Sequence, residues 1–285
     1  MDECDFRFNI VIVGLGLIGG SYAMALRQLR PVQINAIDMD EKVLHTAFEM
    51  GIIDKGCDNS EDILKEADLV IIALYPEETI RFVRNNIMNF KKGAVITDSC
   101  GVKIEVVEKI NSFLPQEIDF VAGHPMAGKE SKGFQQASRD IFKDANYIIT
   151  PTKRNKKENI ALIEKMAKAI GCKNVVYLTP EEHDKIISFT SHLPHVIAVS
   201  LMNSNIAENN IGLFTGGSFK DVTRVAAINS TLWSELFTLN SKNLIDEIES
   251  FEKGIKEIKK AIELEDRETL TDILKNASIK RRKIL

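Results

Sequence analysis

Three stretches of this 285-residue chain carry side chains able to act on a small organic acid. His124 lies in Gly123-His124-Pro125-Met126-Ala127-Gly128-Lys129-Glu130, where a predicted strand ends. An imidazole of ordinary pKa, about 6.5, can take a hydroxyl proton near neutrality. The competing reading is a loop histidine bonded to backbone. Ser191-His192-Leu193-Pro194-His195 puts two imidazoles three residues apart, roughly on one helical face. A metal pair there would need a third ligand at a recognisable spacing, and none is evident, so no metal set is assigned. His192 reads as a buried structural residue. In Gly216-Gly217-Ser218-Phe219-Lys220-Asp221-Val222-Thr223-Arg224, the arginine offers a planar fork matched to a carboxylate, with a surface ion pair as the alternative.

Hydride chemistry would require a dinucleotide, and the chain opens with a device for one. The apolar run Ile10-Val11-Ile12-Val13 leads into Gly14-Leu15-Gly16-Leu17-Ile18-Gly19, and a helical pattern begins at once. This is G-x-G-x-x-G between strand and helix. Gly14 allows the tight turn, Gly16 a close approach to a pyrophosphate, and Gly19 the packing of helix on strand. The helix start at Leu17 and Ile18 offers N–H groups to phosphates. A second predicted strand, Val32 to Ile37, ends at Asp38, about 20 residues past the glycines as the fingerprint requires. A carboxylate there accepts ribose hydroxyls and repels a 2′-phosphate, and neither Met39 nor Asp40 can hold one. The cofactor read from these residues is NAD.

The remaining elements must aim the chemistry at that dinucleotide. Ligands of open parallel sheets lie outside the carboxyl ends of the strands. The apolar Ala73-Leu74-Tyr75-Pro76, after the strand Asp68 to Leu74, suits a nicotinamide face. Asp98-Ser99-Cys100-Gly101-Val102-Lys103 follows the strand Gly93 to Thr97, and the His124 loop follows the strand Asp119 to Gly123. Asp98 is therefore grouped with Leu74 and Tyr75 as cofactor-facing. Strands alternating with helices predict an α/β fold, an N-terminal doubly wound, mostly parallel sheet over residues 1–178. From Thr179-Pro180-Glu181-Glu182, a capping-box helix start, only helical periodicity remains, which predicts an all-helical domain over 179–285. Its first helix is long and apolar from Ile197 to Met202, with Pro194 expected to kink it. Such a helix is best buried against a second copy, so a homodimer is expected. Later helices are predicted from Thr231 to Ser250 and from Phe251 onward. The cations Lys280-Arg281-Arg282-Lys283 suit a helix C-terminus.

Composition narrows the class. The chain is 44% hydrophobic and 27% charged with a net charge of −4, ordinary for a globular protein and no attraction for nucleic acid. Its four cysteines form no C-x-x-C pair, which argues against a metal or disulfide framework and fits a reducing compartment. No signal pattern or membrane-length apolar run is present, so a cytoplasmic protein is expected.

Taken in order, the glycine fingerprint, Asp98-x-x-x-x-Lys103, the GHPMAG segment at 123–128, the SHLPH segment at 191–195 and Phe219-Lys220-Asp221-Val222-Thr223-Arg224 resemble prephenate dehydrogenases over nearly the whole chain. The similarity is to the single-activity form, without a chorismate mutase or ACT domain. It implies NAD-dependent oxidative decarboxylation of prephenate to 4-hydroxyphenylpyruvate, in tyrosine biosynthesis. By the same resemblance His124 bonds the C4 hydroxyl, Arg224 a substrate carboxylate and His195 the substrate. Glu130 stands in the place of an acidic residue at the pocket mouth, Lys129 is counted among the substrate-binding residues, and Trp233 lies near the site. Two departures stand out. A serine frequent in the family is here Gly101, so Ser99 supplies the hydroxyl that orients His124 or another group does. Lys129 replaces a frequent threonine. Cys100, before a helix N-terminus, is expected to be an activated thiol that NAD protects from alkylation. The alternatives are an arogenate dehydrogenase, a distantly similar 3-hydroxyacid dehydrogenase or imine reductase, or a non-catalytic NAD- or tyrosine-sensing protein.

Overall fold

Ile10 and Ile12 point to one face of β1 (Asn9–Val13) and Val11 and Val13 to the other, and both faces are buried. A strand covered on both sides needs an apolar residue at every position, hence the unalternating sequence. The computed structural model, which describes residues 6–58, 61–129, 132–204 and 211–284, builds a six-stranded sheet around this strand. Its members are β2 (Gln33–Ile37), β3 (Lys55–Cys57), β4 (Leu69–Ile72), β5 (Val95–Asp98) and β6 (Asp119–Phe120). The order is β3-β2-β1-β4-β5-β6, and every pairing is parallel.

Helices α1 (Leu17–Arg27) and α2 (Glu41–Glu49) pack on the Ile10 face through Tyr22, Leu26, Leu44 and Ala47. Helices α3 (Glu61–Leu64), α4 (Pro76–Asn85) and α5 (Ile104–Phe113) pack on the Val11 face through Leu64, Val83 and Ile110. Each of the leucines, Val83 and Ile110 contributes about 1.5–3 kcal/mol on burial. The sheet is therefore doubly wound, and the direction of winding reverses between β1 and β4, where a ligand crevice opens.

The sequence predicts one strand over 119–123. The chain instead changes sheets at Val121. β6 closes the parallel sheet, and β7 (Ala122–Pro125) pairs antiparallel with β8 (Asn146–Thr150), His124 opposite Ile148. β8 pairs in parallel with β9 (Asn174–Tyr177), and α6 (Lys157–Ala169) connects them. The strands near 147–150 and 175–178 and the helix between them are legible in the sequence, but their separation into a small mixed sheet, and the short β3, were not expected. β3 has only three residues, too few for a periodic signal.

After β9 the described chain is helical. The predicted capping box is present: Thr179 Oγ1 accepts the Glu182 N–H, and Glu182 Oε2 accepts the Thr179 N–H, at the start of α7 (Pro180–Ile187). The disturbance expected at Pro194 takes the form of a π-helical turn, Ser188–His192, leading into α8 (Leu193–Asn203). A wider turn before the proline accommodates a residue that has no N–H to donate. α9 (Gly217–Thr223), α10 (Ser230–Leu239), α11 (Ser241–Glu263) and α12 (Arg267–Ile284) follow. The helices predicted at Thr231 to Ser250 and from Phe251 are divided differently, with breaks at Asn240 and at 264–266. Asn240 is buried and turns its amide to the Asp184 carbonyl, a contact the sequence could not show. Among the described residues no helix is long and apolar enough to cross a membrane.

Candidate active site

At the crevice, Gly14 takes φ +85°, and a Cβ there would lie 2.7 Å from the Ala73 carbonyl oxygen. A Cβ on Gly19 would lie 1.8 Å from the Gly14 carbonyl oxygen, so only glycine closes this turn. Gly16 has open space, with nothing within 4 Å of its Cβ position, and it precedes α1 without a side-chain cap. The first N–H groups of α1, at Leu17 and Ile18, thus have no intrahelical acceptor and point to an open surface. Asp38 ties the turn to β2: its Oδ2 accepts the Leu15 N–H at 2.6 Å and its Oδ1 the Asp40 N–H at 2.9 Å. Each oxygen retains a lone pair for a hydroxyl. These features fit a dinucleotide.

Across the crevice, Leu74 and Tyr75 follow β4 and are half-buried. The Tyr75 hydroxyl accepts from Asn229 Nδ2, the residue that caps α10, and the Glu77 N–H donates to Glu235 Oε1 of the same helix at 2.6 Å. The helical region is thereby fastened over the end of the sheet.

Asp98 is placed differently from the cofactor role expected of it. Its side chain is completely buried, with Oδ2 2.5 Å from Lys103 Nζ and 2.9 Å from the Cys100 N–H, and Oδ1 accepting the Gly123 N–H at 3.1 Å. Lys103, also fully buried, donates to the Gly123 carbonyl at 2.6 Å. The pair braces the entry to β7, and its buried polar atoms are engaged within the protein. Cys100 is likewise corrected. It is buried, and desolvation first and the Asp98 carboxylate second push its thiol well up, so it is a packing residue rather than an activated thiol.

His124 leaves β7 beside this brace. Its Nδ1 lies 2.8 Å from Nε2 of His183, and Nδ1 of His183 lies 2.7 Å from Oδ1 of Asp184. Burial above all, then the neighbouring His183 and Lys103, holds His124 well below the usual imidazole range. Burial also lowers His183 to about 3 and His192 to about 4. The Ser99 hydroxyl makes no hydrogen bond to His124 among the described residues, so it is not the orienting group. A Cβ at Gly101 would sit 4.0 Å from His124 Cε1, and position 101 therefore does flank the imidazole, without a hydroxyl to offer. Sequence reasoning missed His183 and Asp184. The available signal was a His-Asp pair in a capped helix, with His183 four residues before the buried Ile187 and so on its inward face.

His195 stacks on Trp233, ring centroids 3.5 Å apart at 27°, and its Nδ1 donates to the Ser191 carbonyl at 2.8 Å, which leaves Nε2 as an acceptor. His192 is buried edge-on to the same indole, with centroids 6.0 Å apart, its Nδ1 3.4 Å from Asn240 Nδ2. The two imidazoles thus have separate partners, and no group of three or more His, Cys, Asp or Glu among the described residues is arranged to hold a metal. Arg224 is exposed and begins a 3-10 turn, Arg224–Ala226, that packs against α8, the helix carrying His195. Lys129 is exposed beyond β7, and Glu130 lies outside the described residues.

A doubly wound parallel sheet with a glycine turn at its switch point and buried imidazoles beyond it defines a dinucleotide-dependent oxidoreductase. Residues 22–184 match the family model for the nucleotide-binding domain of prephenate dehydrogenase, and residues 179–276 match that for its dimerization domain. A prephenate dehydrogenase of Bacillus subtilis (strain 168) is 32% identical over 275 residues, which is 94% of this chain and 74% of that protein. A cyclohexadienyl dehydrogenase of Zymomonas mobilis is also 32% identical, over 94% of this chain and 93% of its own. The crystal structure of Aquifex aeolicus prephenate dehydrogenase in complex with hydroxyphenyl propionate and NAD+ superposes with a TM-score of 0.88 at 30% identity, covering 97% of this chain and 98% of that one. The chain belongs to the prephenate dehydrogenase family, and it is an NAD-dependent oxidoreductase.

Proposed function

We propose that this enzyme oxidatively decarboxylates prephenate to 4-hydroxyphenylpyruvate, with His124 as the base for the C4 hydroxyl. The observation that carries the reading is the engagement of His124 Nδ1 by His183, which leaves Nε2 to meet a substrate. Gly14, Gly16, Gly19, the N–H groups of Leu17 and Ile18, and Asp38 hold the adenosine and pyrophosphate of NAD, and Leu74 and Tyr75 flank its nicotinamide. NAD, when bound, supplies the acceptor for the hydride on ring C4. His124 Nε2 takes the hydroxyl proton while the ring carboxylate departs as carbon dioxide. The electron pair it leaves aromatises the ring, and the proton returns from His124 to the phenolate oxygen. No proton is gained or lost overall. A depressed imidazole pKa keeps the base neutral and ready at physiological pH. Arg224 binds a substrate carboxylate, His195 on its Trp233 platform contacts the substrate, and Lys129 borders the entrance.

The division falls at residues 178 and 179, and the helical part forms a homodimer. In support, α12 buries none of its side chains within the single chain, and Leu213 and Phe214 are 81% and 84% exposed. Sedimentation as a concentration-independent monomer would contradict the dimer. Arogenate is the second substrate reading, favoured by the similarity to a cyclohexadienyl dehydrogenase. Assays of prephenate and arogenate with NAD and with NADP decide between them. For the base, His124→Asn is expected to lower kcat about 10²- to 10⁴-fold, and a loss below about tenfold rejects the role. Arg224→Ala should chiefly raise KM, and a change confined to kcat would contradict a carboxylate clamp.

A further inference from the structure

His183 is completely buried, and both of its ring nitrogens are engaged: Nε2 with His124 and Nδ1 with Asp184. Asp184 is in turn fixed from three sides. Its Oδ1 accepts the Lys103 N–H at 2.7 Å and its Oδ2 the Ile104 N–H at 2.9 Å, both at the start of α5. Its backbone carbonyl accepts Asn240 Nδ2 at 2.8 Å from the break between α10 and α11. Burial raises the Asp184 carboxyl, and the two backbone N–H groups at this helix N-terminus oppose that shift and favour the ionised acceptor.

Proton positions then follow along the row. Facing an acceptor, His183 Nδ1 must carry the proton, so in the neutral ring its Nε2 accepts. His124 Nδ1 must therefore donate to it, and the lone pair of His124 is left on Nε2, the nitrogen directed away from the row.

We infer that His183 and Asp184 are a positioning dyad for His124, fixing its tautomer and ring orientation and sharing the positive charge that forms when Nε2 takes the hydroxyl proton. The inference rests on His124 being the base. Its logic is that of a histidine oriented by a carboxylate, here with a second imidazole interposed across 59 residues of sequence. The arrangement also answers the absence of a side chain at Gly101, because the orienting hydrogen bond comes from α7 instead. Burial first, then His183 itself while it is charged, the buried Lys103 of the β5–α5 loop and His192 of the π-turn act against a cation at His124. Asp98 neutralises Lys103 at 2.5 Å, and Asp184 is the anion in line with the imidazoles.

The test is independent of turnover. In protein labelled with 15N-histidine, long-range proton–nitrogen spectra assign the protonated nitrogen of each of the five imidazoles. The native, unliganded protein is expected to show His124 as the single Nδ1–H tautomer. An Nε2–H tautomer at His124 overturns the inference. His183→Leu should give mixed tautomers at His124, with kcat lowered about ten- to a hundredfold and KM for prephenate within about twofold, the scale seen when an orienting partner is removed. His183→Gln keeps a side-chain oxygen that can accept from His124 Nδ1, and should recover part of that loss. A His183→Leu protein with reduced thermal stability but unchanged kcat would make the dyad merely structural and reject it. If the native protein turned over neither prephenate nor arogenate, the assigned reaction would fail, while the tautomer measurement, which needs no substrate, would still decide how His124 is held.

Discussion

Between Val13 and Leu17 the chain needs little beyond its own backbone and the two neighbouring strands, whereas His124 takes its geometry from β7, α7 and the start of α5. The glycine turn is closed by contacts with Ala73 and Asp38 and presents main-chain N–H groups. The histidine row is made of side chains only, each fully or largely buried and each dependent on the next. The groups the turn presents are main-chain ones, so beyond Asp38 the site depends little on neighbouring side chains and is disturbed chiefly when a Cβ is forced into it. A side-chain network in a low-dielectric interior fails when any member is lost, because the others are left unpaired. Binding the same dinucleotide in many enzymes suits the first design. Choosing which proton is moved requires the second.

The comparison breaks most sharply at the brace between the two regions. Lys103→Met leaves the Asp98 carboxylate buried without its counter-ion and should cost about 3–5 kcal/mol of unfolding free energy, measured by chemical denaturation. Adding Asp98→Leu should recover only part of this, because the Gly123 N–H then loses its acceptor. Full recovery would mean the brace is an ion pair alone. A smaller effect, about 1–3 kcal/mol, is expected for Gly14→Ala, where the strained φ and the Ala73 oxygen oppose a Cβ. That variant should bind NAD more weakly in calorimetry yet leave the His124 tautomer unchanged, and a changed tautomer would show the two regions to be coupled.

Acid should separate them further. His183 and His192 are neutral in the folded protein down to about pH 3 and 4, while in the unfolded chain they take protons below about 6.5. The unfolded state binds more protons across that window, so stability falls as pH drops from about 6.5 toward 4. His183→Gln should flatten this dependence, and an unaltered pH profile would assign the acid sensitivity to other groups. The smallest effect is expected at Cys100: alkylation in the native protein should be slow, with or without NAD, as read by peptide mass spectrometry. Rapid labelling that NAD suppresses would place the thiol in the crevice after all.

Much of the architecture is legible in local pattern. Unalternating apolar runs mark β1 and β4, Pro76 opens α4 at its first turn, and Thr179 with Glu182 forms the capping box, because each depends on neighbours within a few residues. What escaped was non-local. Residues 119–123 read as one strand because nothing in their sequence marks the change of sheet at Val121. Asp98 and Lys103 are recognisable as a spaced pair, but their inward orientation follows from β7 lying beside β5, where Gly123 takes a hydrogen bond from Lys103 and gives one to Asp98. Asn240 breaks a helix that periodicity alone would continue, since its amide is drawn to a carbonyl 56 residues away.

The sequence by itself determined the glycine turn, the acidic residue at the end of β2, and the order of sheet and helices, since φ preferences, hydrophobic period and capping act within a few residues. Only the tertiary structure decided which nitrogen of His124 is engaged and which is left over, because that choice belongs to a hydrogen bond to His183, a partner that packing rather than sequence spacing brings within 2.8 Å.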